Sequence, residues 1–540
     1  APELPDASVH ELALACFLIL LHRHTNQPSV CVGWWSRDSG LRSVSCEFED
    51  RTLLADVLAS LTQAPCGTVA AAGAAPFLPT VFGFCSRQDA DAATRIASLA
   101  SLSLAWIDDD ATATVRLTFD GQLFRAERMQ EFLDQFQMLV AQAFALPHSR
   151  VLDYSLITAL GRRLLPDPSE PIIAPRYPLL SEVFAEIAAA HPNDVAVSQA
   201  SQSWTYAQLE RGSAEIAMHL CSIGVQPGDV VAVSGPRSFG VVSAVLSVFR
   251  SGATLLTIDP KLPLERQSAM LRQAGARHLL RVGLPAQIDA SIETVIKVEP
   301  ATGDMPGVPA RRQPMPELLA LDPTGAAYIF FTSGSTGTPK GVVGTHQGLA
   351  HFLDWQRKTF EIGSGDRAAQ ITTLSFDMVL RDMFLALTSG ATLCIPQEAD
   401  VLDPAAILNW MATERISVLH VVPSLLRAWI NHVPPNLRLP CLRRVFLAGE
   451  PLTEALILSF RASFGTEALL TNFYGPTETT LIKCFHPVLD VEPGLQPIGR
   501  PQPQTQILIL NRCGQLCGIH EIGQIAIRTP FRTLGYLNAP

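Results

Sequence analysis

The 540 residues carry 48% hydrophobic and 17% charged side chains with a formal charge of −10, a balance that suits large buried cores and excludes disorder. No cluster of Lys and Arg forms the basic stripe of a nucleic-acid binder, so a soluble enzyme of three or four domains is expected.

The first apolar run, Leu12 to Leu21, is shorter than the roughly 20 residues a membrane span needs. Acidic Asp6 and Glu11 precede it and no small-residue cleavage site follows, so a buried helix is expected rather than a signal peptide. Ser29 to Trp35 and Ala113 to Asp120 are predicted strands, and the apolar spacing of Ala126 to Ala145 predicts a helix. Arg162 to Pro178 holds five prolines and is the clearest linker.

Beyond the linker the text changes. LLSEVFAEIAAAHPNDVAVS predicts a helix then a strand, and Gly228 to Pro260 alternates strand, helix, strand. That alternation recurs to about residue 490 and predicts parallel sheets with helices on both faces. After Pro501, QTQILILN and GQIAIRTP predict a small antiparallel sheet or barrel. Eleven cysteines lie scattered; Cys513 and Cys517 lack the second pair or histidine that would complete a zinc site, so free thiols in a reducing compartment are expected.

IFFTSGSTGTPKGVVGTH, Ile329 to His346, carries the chemistry. Gly334, Gly337 and Gly341 remove side-chain bulk so that backbone N–H groups can approach an anion. Thr332, Ser333, Ser335 and Thr336 add hydroxyls, and Lys340 adds a positive charge. Phosphate is the natural guest. A P-loop is excluded, because after Gly334 and four spacers that pattern needs glycine and this chain has Pro339.

This loop resembles the phosphate-gripping motif of the adenylate-forming superfamily, and in particular of adenylation domains of nonribosomal peptide synthetases. SWTYAQLE, FRSGATLLTIDPKLPLERQ, FDMVLRDMF, NFYGPTETT and GQIAIRTPFRTLGYLN resemble further family motifs in the same order. The resemblance implies an α/β fold: two layered α/β subdomains plus a small β-barrel-like one, over residues 181–540, after a linker at 161–180. It also implies ATP and Mg²⁺, with carboxylate attack on the α-phosphate. Thr332, Ser333 and Lys340 would grip phosphates with Gly334, Ser335, Thr336 and Gly337. Tyr474 would stack on adenine and Asn472 would bind its amine, with Gly449 and Gly475 beside them. Thr477 would contact the α-phosphate and Glu478 would hold the metal. Tyr474 as a core aromatic and Glu478 as a carboxylate at a helix start are the structural alternatives.

By the same resemblance Asp377 would bind a substrate α-ammonium, in a pocket lined by Met378, Arg381, His420, Phe446, Ala448, Phe473, Leu481 and Ile482. Asp377 could instead cap the following helix, or pair with Arg381 one turn on. Two cationic candidates, Arg381 and His420, slightly favour a polar or acidic amino acid. An acyl- or aryl-acid ligase and a non-catalytic docking module are the competing readings.

The family continues past GYLN into a mobile lid, so binding with weak or absent adenylation is expected of this chain alone, whether the lid is cut away or displaced by an insert. A carrier domain outside the chain would supply the phosphopantetheine, within a cytoplasmic assembly line and with an MbtH-like helper as a candidate partner; no nucleic acid or membrane is expected. Residues 1–160 resemble the C-terminal half of a condensation domain, an α+β half-domain. The family's paired histidines are absent, since no two of the 13 histidines are adjacent, and peptide-bond formation is not expected. His22 and His24, which flank Arg23, are expected to be solvated or packed.

Overall fold

The computed structural model describes residues 7–37, 40–63, 79–86, 90–98, 100–109, 112–283, 291–308, 321–332 and 339–538. The chain forms two compact units: Ala1–Pro171 with Gln506–Arg528, and Ile172–Thr505 with Thr529–Pro540.

In the first unit the early apolar run is a helix, Val9–Thr25. Ser8 and Glu11 close a capping box at its start, and Asn26 ends it in the left-handed region at φ 53. Leu12 to Leu20 are all buried, because the helix lies in a core where Phe17 meets Phe82, Phe132 and Phe136. A five-stranded sheet runs in the order Gly40–Glu47, Ser29–Ser36, Thr80–Ser86, Leu102–Asp109, Thr112–Phe119. Helix Ala126–Ala145 packs against the first helix. Among the described residues no helix is long and apolar enough to cross a membrane.

The segment after Pro501 forms, in its described residues, a two-stranded antiparallel sheet, Gln506–Leu510 with Gln524–Arg528, the first of the two forms expected. That hairpin packs with the first unit, whereas the sequence pattern carried it with the core to residue 540. Alternating hydrophobicity specifies a half-buried strand and says nothing about which core covers it.

Side-chain hydrogen bonds explain the placement. Arg23 Nε donates to Glu521 Oε1 at 2.6 Å, and its Nη1 donates to the carbonyls of Tyr154 and, at 3.4 Å, Val151. Asn511 donates to Leu152 O at 2.9 Å, and Gln135 to Ile519 O at 2.9 Å. His22 and His24 are packed, as expected: His22 stacks on Phe48 and meets Gln27 O, and His24 meets Gln135 Oε1.

The second unit holds two sheets. The seven-stranded one runs Thr294–Val298, His278–Val282, Val230–Ser234, Thr254–Ile258, Ala326–Thr332, Lys340–Thr345, Gly535–Tyr536. Its first five strands are parallel, and the Lys340 strand turns back antiparallel to the Ala326 strand. The nine-stranded sheet contains adjacent parallel strands Val418–Val421, Arg444–Leu447 and Leu469–Tyr474, in register at His420, Phe446 and Thr471. Shared register brings the carboxyl ends of these three strands level, the usual place for a ligand in such a sheet.

Candidate functional site

A cavity of about 470 Å³ opens at those carboxyl ends. Helix Met378–Leu387 forms one wall, and residues from all three strand ends form the others. Ten of the sequence-predicted residues line it: Asp377, Met378, Arg381, His420, Ala448, Gly449, Gly475, Thr477, Leu481 and Ile482.

Asp377 occupies the N-cap position of its helix, yet its side chain makes no capping hydrogen bond. Nor does it lie within ion-pair distance of Arg381, so neither structural alternative for this carboxylate holds among the described residues. Burial pushes its carboxyl above the ordinary range, while the Thr477 hydroxyl and the Arg381 charge pull it back. A buried carboxyl whose charged form is this costly would gain from a cation brought to it.

His420 is buried, with Nε2 2.9 Å from Gln356 Nε2 and Nδ1 3.1 Å from Asp382 Oδ1. Burial, then the Arg381 charge, push it down to about 4, so it is a neutral imidazole. Phe446 and Phe473 correct the predicted lining. They stack on each other at 4.8 Å, with Phe446 also on His420, and belong to the buried core behind the wall. Phe446 is the register partner of His420, so it stands beside that ring within the core rather than at the cavity.

The remaining wall needs unusual backbone. Gly449 has φ 85, in the region that favours glycine. A Cβ on Gly475 would stand 2.3 Å from Leu481 O and 2.7 Å from Ile482 Cα, so only glycine lets this segment close on the next. Thr480 and Leu481 are both at positive φ, 69 and 57, a costly pair for non-glycine residues at a cavity wall.

Lys340, at one end of the predicted phosphate segment, is exposed on a strand between Ala326–Thr332 and Gly535–Tyr536. Thr332 and Lys340 are register partners at the end of their antiparallel pair. Ser333, Gly334, Ser335, Thr336 and Gly337 lie outside the described residues. Lys340 Nζ sits 5.3 Å from the centre of the Tyr536 ring, and Tyr536 Oη donates to Glu478 Oε1 at 2.6 Å. Thr533 Oγ1 holds the Glu478 carbonyl at 2.6 Å. Lys340 and Glu478, far apart in the chain, therefore meet around one tyrosine. Asn472 donates from Nδ2 to Pro497 O at 2.8 Å and is not among the residues lining the cavity. Tyr474 ends the strand that Gly475 follows.

Sequence reasoning missed Tyr536 as a site residue, along with Asp382 and Gln356, which brace His420. Tyr536 sits inside the quoted closing motif, which was the available signal. Asp382 follows Arg381 directly, and nothing in spacing marks it as buried.

The AMP-binding enzyme family profile matches residues 184–537. The L-2-aminoadipate reductase large subunit of Eremothecium gossypii is 28% identical over 466 residues, 78% of this chain and 33% of the relative. A plipastatin synthase from Bacillus subtilis is 33% identical over 367 residues, 67% of this chain and 10% of the relative. The chain thus spans a third or less of these relatives. Among solved structures, the nonribosomal peptide synthetase FmoA3 in its AMPPNP-bound form has a TM-score of 0.76 at 23% identity, covering 98% of this chain and 61% of its own. A four-domain synthetase bound to AMP and glycine has a TM-score of 0.79 at 18% identity, covering 99% and 43%. With its loop lysine and Glu478 gathered beside a cavity at the strand ends, and the family profile spanning that whole arrangement, the chain belongs to the AMP-binding enzymes.

Proposed function

We propose that the second unit binds ATP and an α-amino acid and joins them as an aminoacyl-AMP, destined for the phosphopantetheine of a carrier domain. A substrate carboxylate oxygen attacks the α-phosphorus, the bond to the β-phosphate bridging oxygen breaks, and pyrophosphate leaves. The observation that carries this reading is the continuity of Thr477 and Glu478. Thr477 shares the cavity with Asp377, while the adjacent Glu478 is joined through Tyr536 to Lys340.

Each group then has work suited to its chemistry. Asp377 holds the α-ammonium, and Thr477 hydrogen-bonds at the α-phosphate. Lys340 and the hydroxyl-rich segment neutralise charge that builds on the departing oxygens. Tyr474 and Asn472 receive the adenine, with Gly449 and Gly475 leaving room for it. Magnesium suits a site with one exposed carboxylate and a triphosphate, because this ion keeps waters and phosphate oxygens as most of its ligands. Among the described residues no cluster of three protein ligands competes with that arrangement. Glu478 is the residue that would hold it, and the bound ion would neutralise phosphate charge.

The relatives support an amino-acid substrate, since they include peptide synthetases and reductases named for L-2-aminoadipate. The reading extends to a cytoplasmic assembly line with carrier and MbtH-like partners. The first unit, with its five-stranded sheet and covering helices, is read as a non-catalytic condensation-like lobe.

Titration of the full chain with amino acids in the presence of AMPPNP tests the proposal. Asp377→Ala is expected to lower amino-acid affinity by about 10–100-fold, as for a lost charged hydrogen bond, and Lys340→Ala to weaken AMPPNP. A fatty or aryl acid that binds best and ignores Asp377→Ala would establish an acyl- or aryl-acid ligase instead. Failure to bind AMPPNP at millimolar concentration would establish a docking module.

A further inference from the structure

Arg381 is one of the largest fully buried side chains in the protein, 1% exposed. Its Nε and Nη1 have no hydrogen-bond partner, and no carboxylate lies within ion-pair distance, among the described residues. A buried guanidinium in that state costs several kcal/mol, and folded proteins rarely tolerate one without a compensating group.

The neighbouring carboxylates, Asp382 and Asp377, act on Arg381 only from beyond hydrogen-bond distance, and burial still pushes its guanidinium down. Asp382 accepts from the Thr372 amide at 3.1 Å and faces His420 with its other oxygen. Asp377 is engaged by Thr477. His420 is a neutral imidazole, so Arg381 is the cation of the described wall. Of the other lining residues, Val421, Val422, Leu425, Leu481 and Ile482 are aliphatic, and the one further carboxylate, Glu450, is taken by Ser424 N at 2.8 Å and Oγ at 2.6 Å. The missing acceptor has to come from what enters the cavity.

Asp377 and Arg381 are four apart on one helix, which places their Cβ atoms about 5–6 Å from each other. A cation and an anion carried on one small molecule can meet both.

Resting on the aminoacyl-AMP reading above, we propose that the cavity takes a dicarboxylic α-amino acid, with its ammonium on Asp377 and its unreacting carboxylate on Arg381. Two members of that class satisfy the geometry. Either the α-carboxylate reacts and the side-chain carboxylate sits on Arg381, or the side-chain carboxylate reacts and the α-carboxylate sits there. Guanidinium and carboxylate match in shape as well as charge, which lysine would not reproduce.

The test is a titration of the full chain, with AMPPNP present, using L-glutamate, L-2-aminoadipate, the two monoamides of each, and L-norleucine as the apolar control. The dicarboxylates are expected to bind at least about tenfold more tightly than norleucine, the lower end for a hydrogen bond to a charged group. Arg381→Met should erase that ranking while leaving AMPPNP affinity in place, and Arg381→Lys should restore part of it. The monoamides separate the two members: amidation of the carboxylate on Arg381 costs affinity, and amidation of the one facing the phosphates does not. Norleucine binding best, or a dicarboxylate preference unchanged in Arg381→Met, overturns the inference while leaving amino-acid activation standing. Loss of AMPPNP binding, or of dependence on the substrate ammonium, overturns both. If Arg381→Met does not fold, the ranking by the unmodified protein decides alone.

Discussion

Two buried arginines, one in each unit, differ in what surrounds them. Arg23 is enclosed by Glu521 and the carbonyls of Val151 and Tyr154, and Glu521 in turn accepts the Gly518 amide at 2.8 Å. Arg381 is as deeply buried, yet two of its three nitrogens have no partner among the described residues. Burial alone therefore does not tell a structural charge from a binding one. A charge whose hydrogen bonds are filled by its own chain fixes the fold, whereas one left unfilled beside a cavity is held ready for something else.

The sharpest way to break this contrast is Arg23→Met. It leaves Glu521 buried and uncompensated, and should destabilise the first unit by about 3–5 kcal/mol, measured as lost hydrogen-exchange protection in helix Val9–Thr25. Replacing both partners, Arg23→Met with Glu521→Leu, should recover most of that loss, because two apolar groups need no counter-charge. A double variant no better than the single would mean that the backbone contacts, not the ion pair, hold the hairpin.

Lys483 sharpens the comparison with a third buried cation. Its Nζ has no partner among the described residues, and burial pushes it down from 10.5 to about 7. Between those values the unfolded chain binds a proton that the native lysine refuses, so stability climbs as pH rises from about 7 to 10.5. Below about 7 the whole cost of the buried charge is present. Lys483→Met should flatten that climb and raise stability at neutral pH, as read from urea unfolding across the range. A slope that survives the substitution would assign the titration to another group.

The smallest expected effect is on the stability of Arg381→Met. With no internal partner to orphan and an uncompensated buried charge removed, it should leave the unfolding midpoint unchanged or raise it. A loss as large as that of Arg23→Met would show that Arg381 belongs to the fold.

The order of elements was largely legible. The helix at Ala126–Ala145, the strand–helix–strand unit around Phe239–Ser251 and the first strand all follow from apolar periodicity and caps. Asp377 and Arg381 sit within the quoted FDMVLRDMF motif and line the cavity, whereas His420 lies outside the quoted motifs and was expected there only by the resemblance. Phe446 and Phe473 are packed on each other, with Phe446 also on His420, and do not line the cavity, and the sequence does not show how far each strand reaches toward its end. The unfilled valence of Arg381 was also invisible, since a sequence shows donors but not which acceptors reach them. The destination of the 506–528 hairpin depends on Arg23, Gln135 and Leu152, residues hundreds of positions away that no local pattern ties to it.

That hairpin sets an order on biosynthesis. Arg23 and its acceptor Glu521 are 498 positions apart. At ordinary elongation rates of about 5–20 residues per second, the ribosome needs on the order of 25–100 seconds to deliver one after the other. Throughout that interval the amino-terminal helix is already made while its deepest charge waits for a carboxylate. An excised fragment ending at the proline-rich segment would remain in that unfinished state permanently. The first unit cannot be completed until almost all of the second has been made.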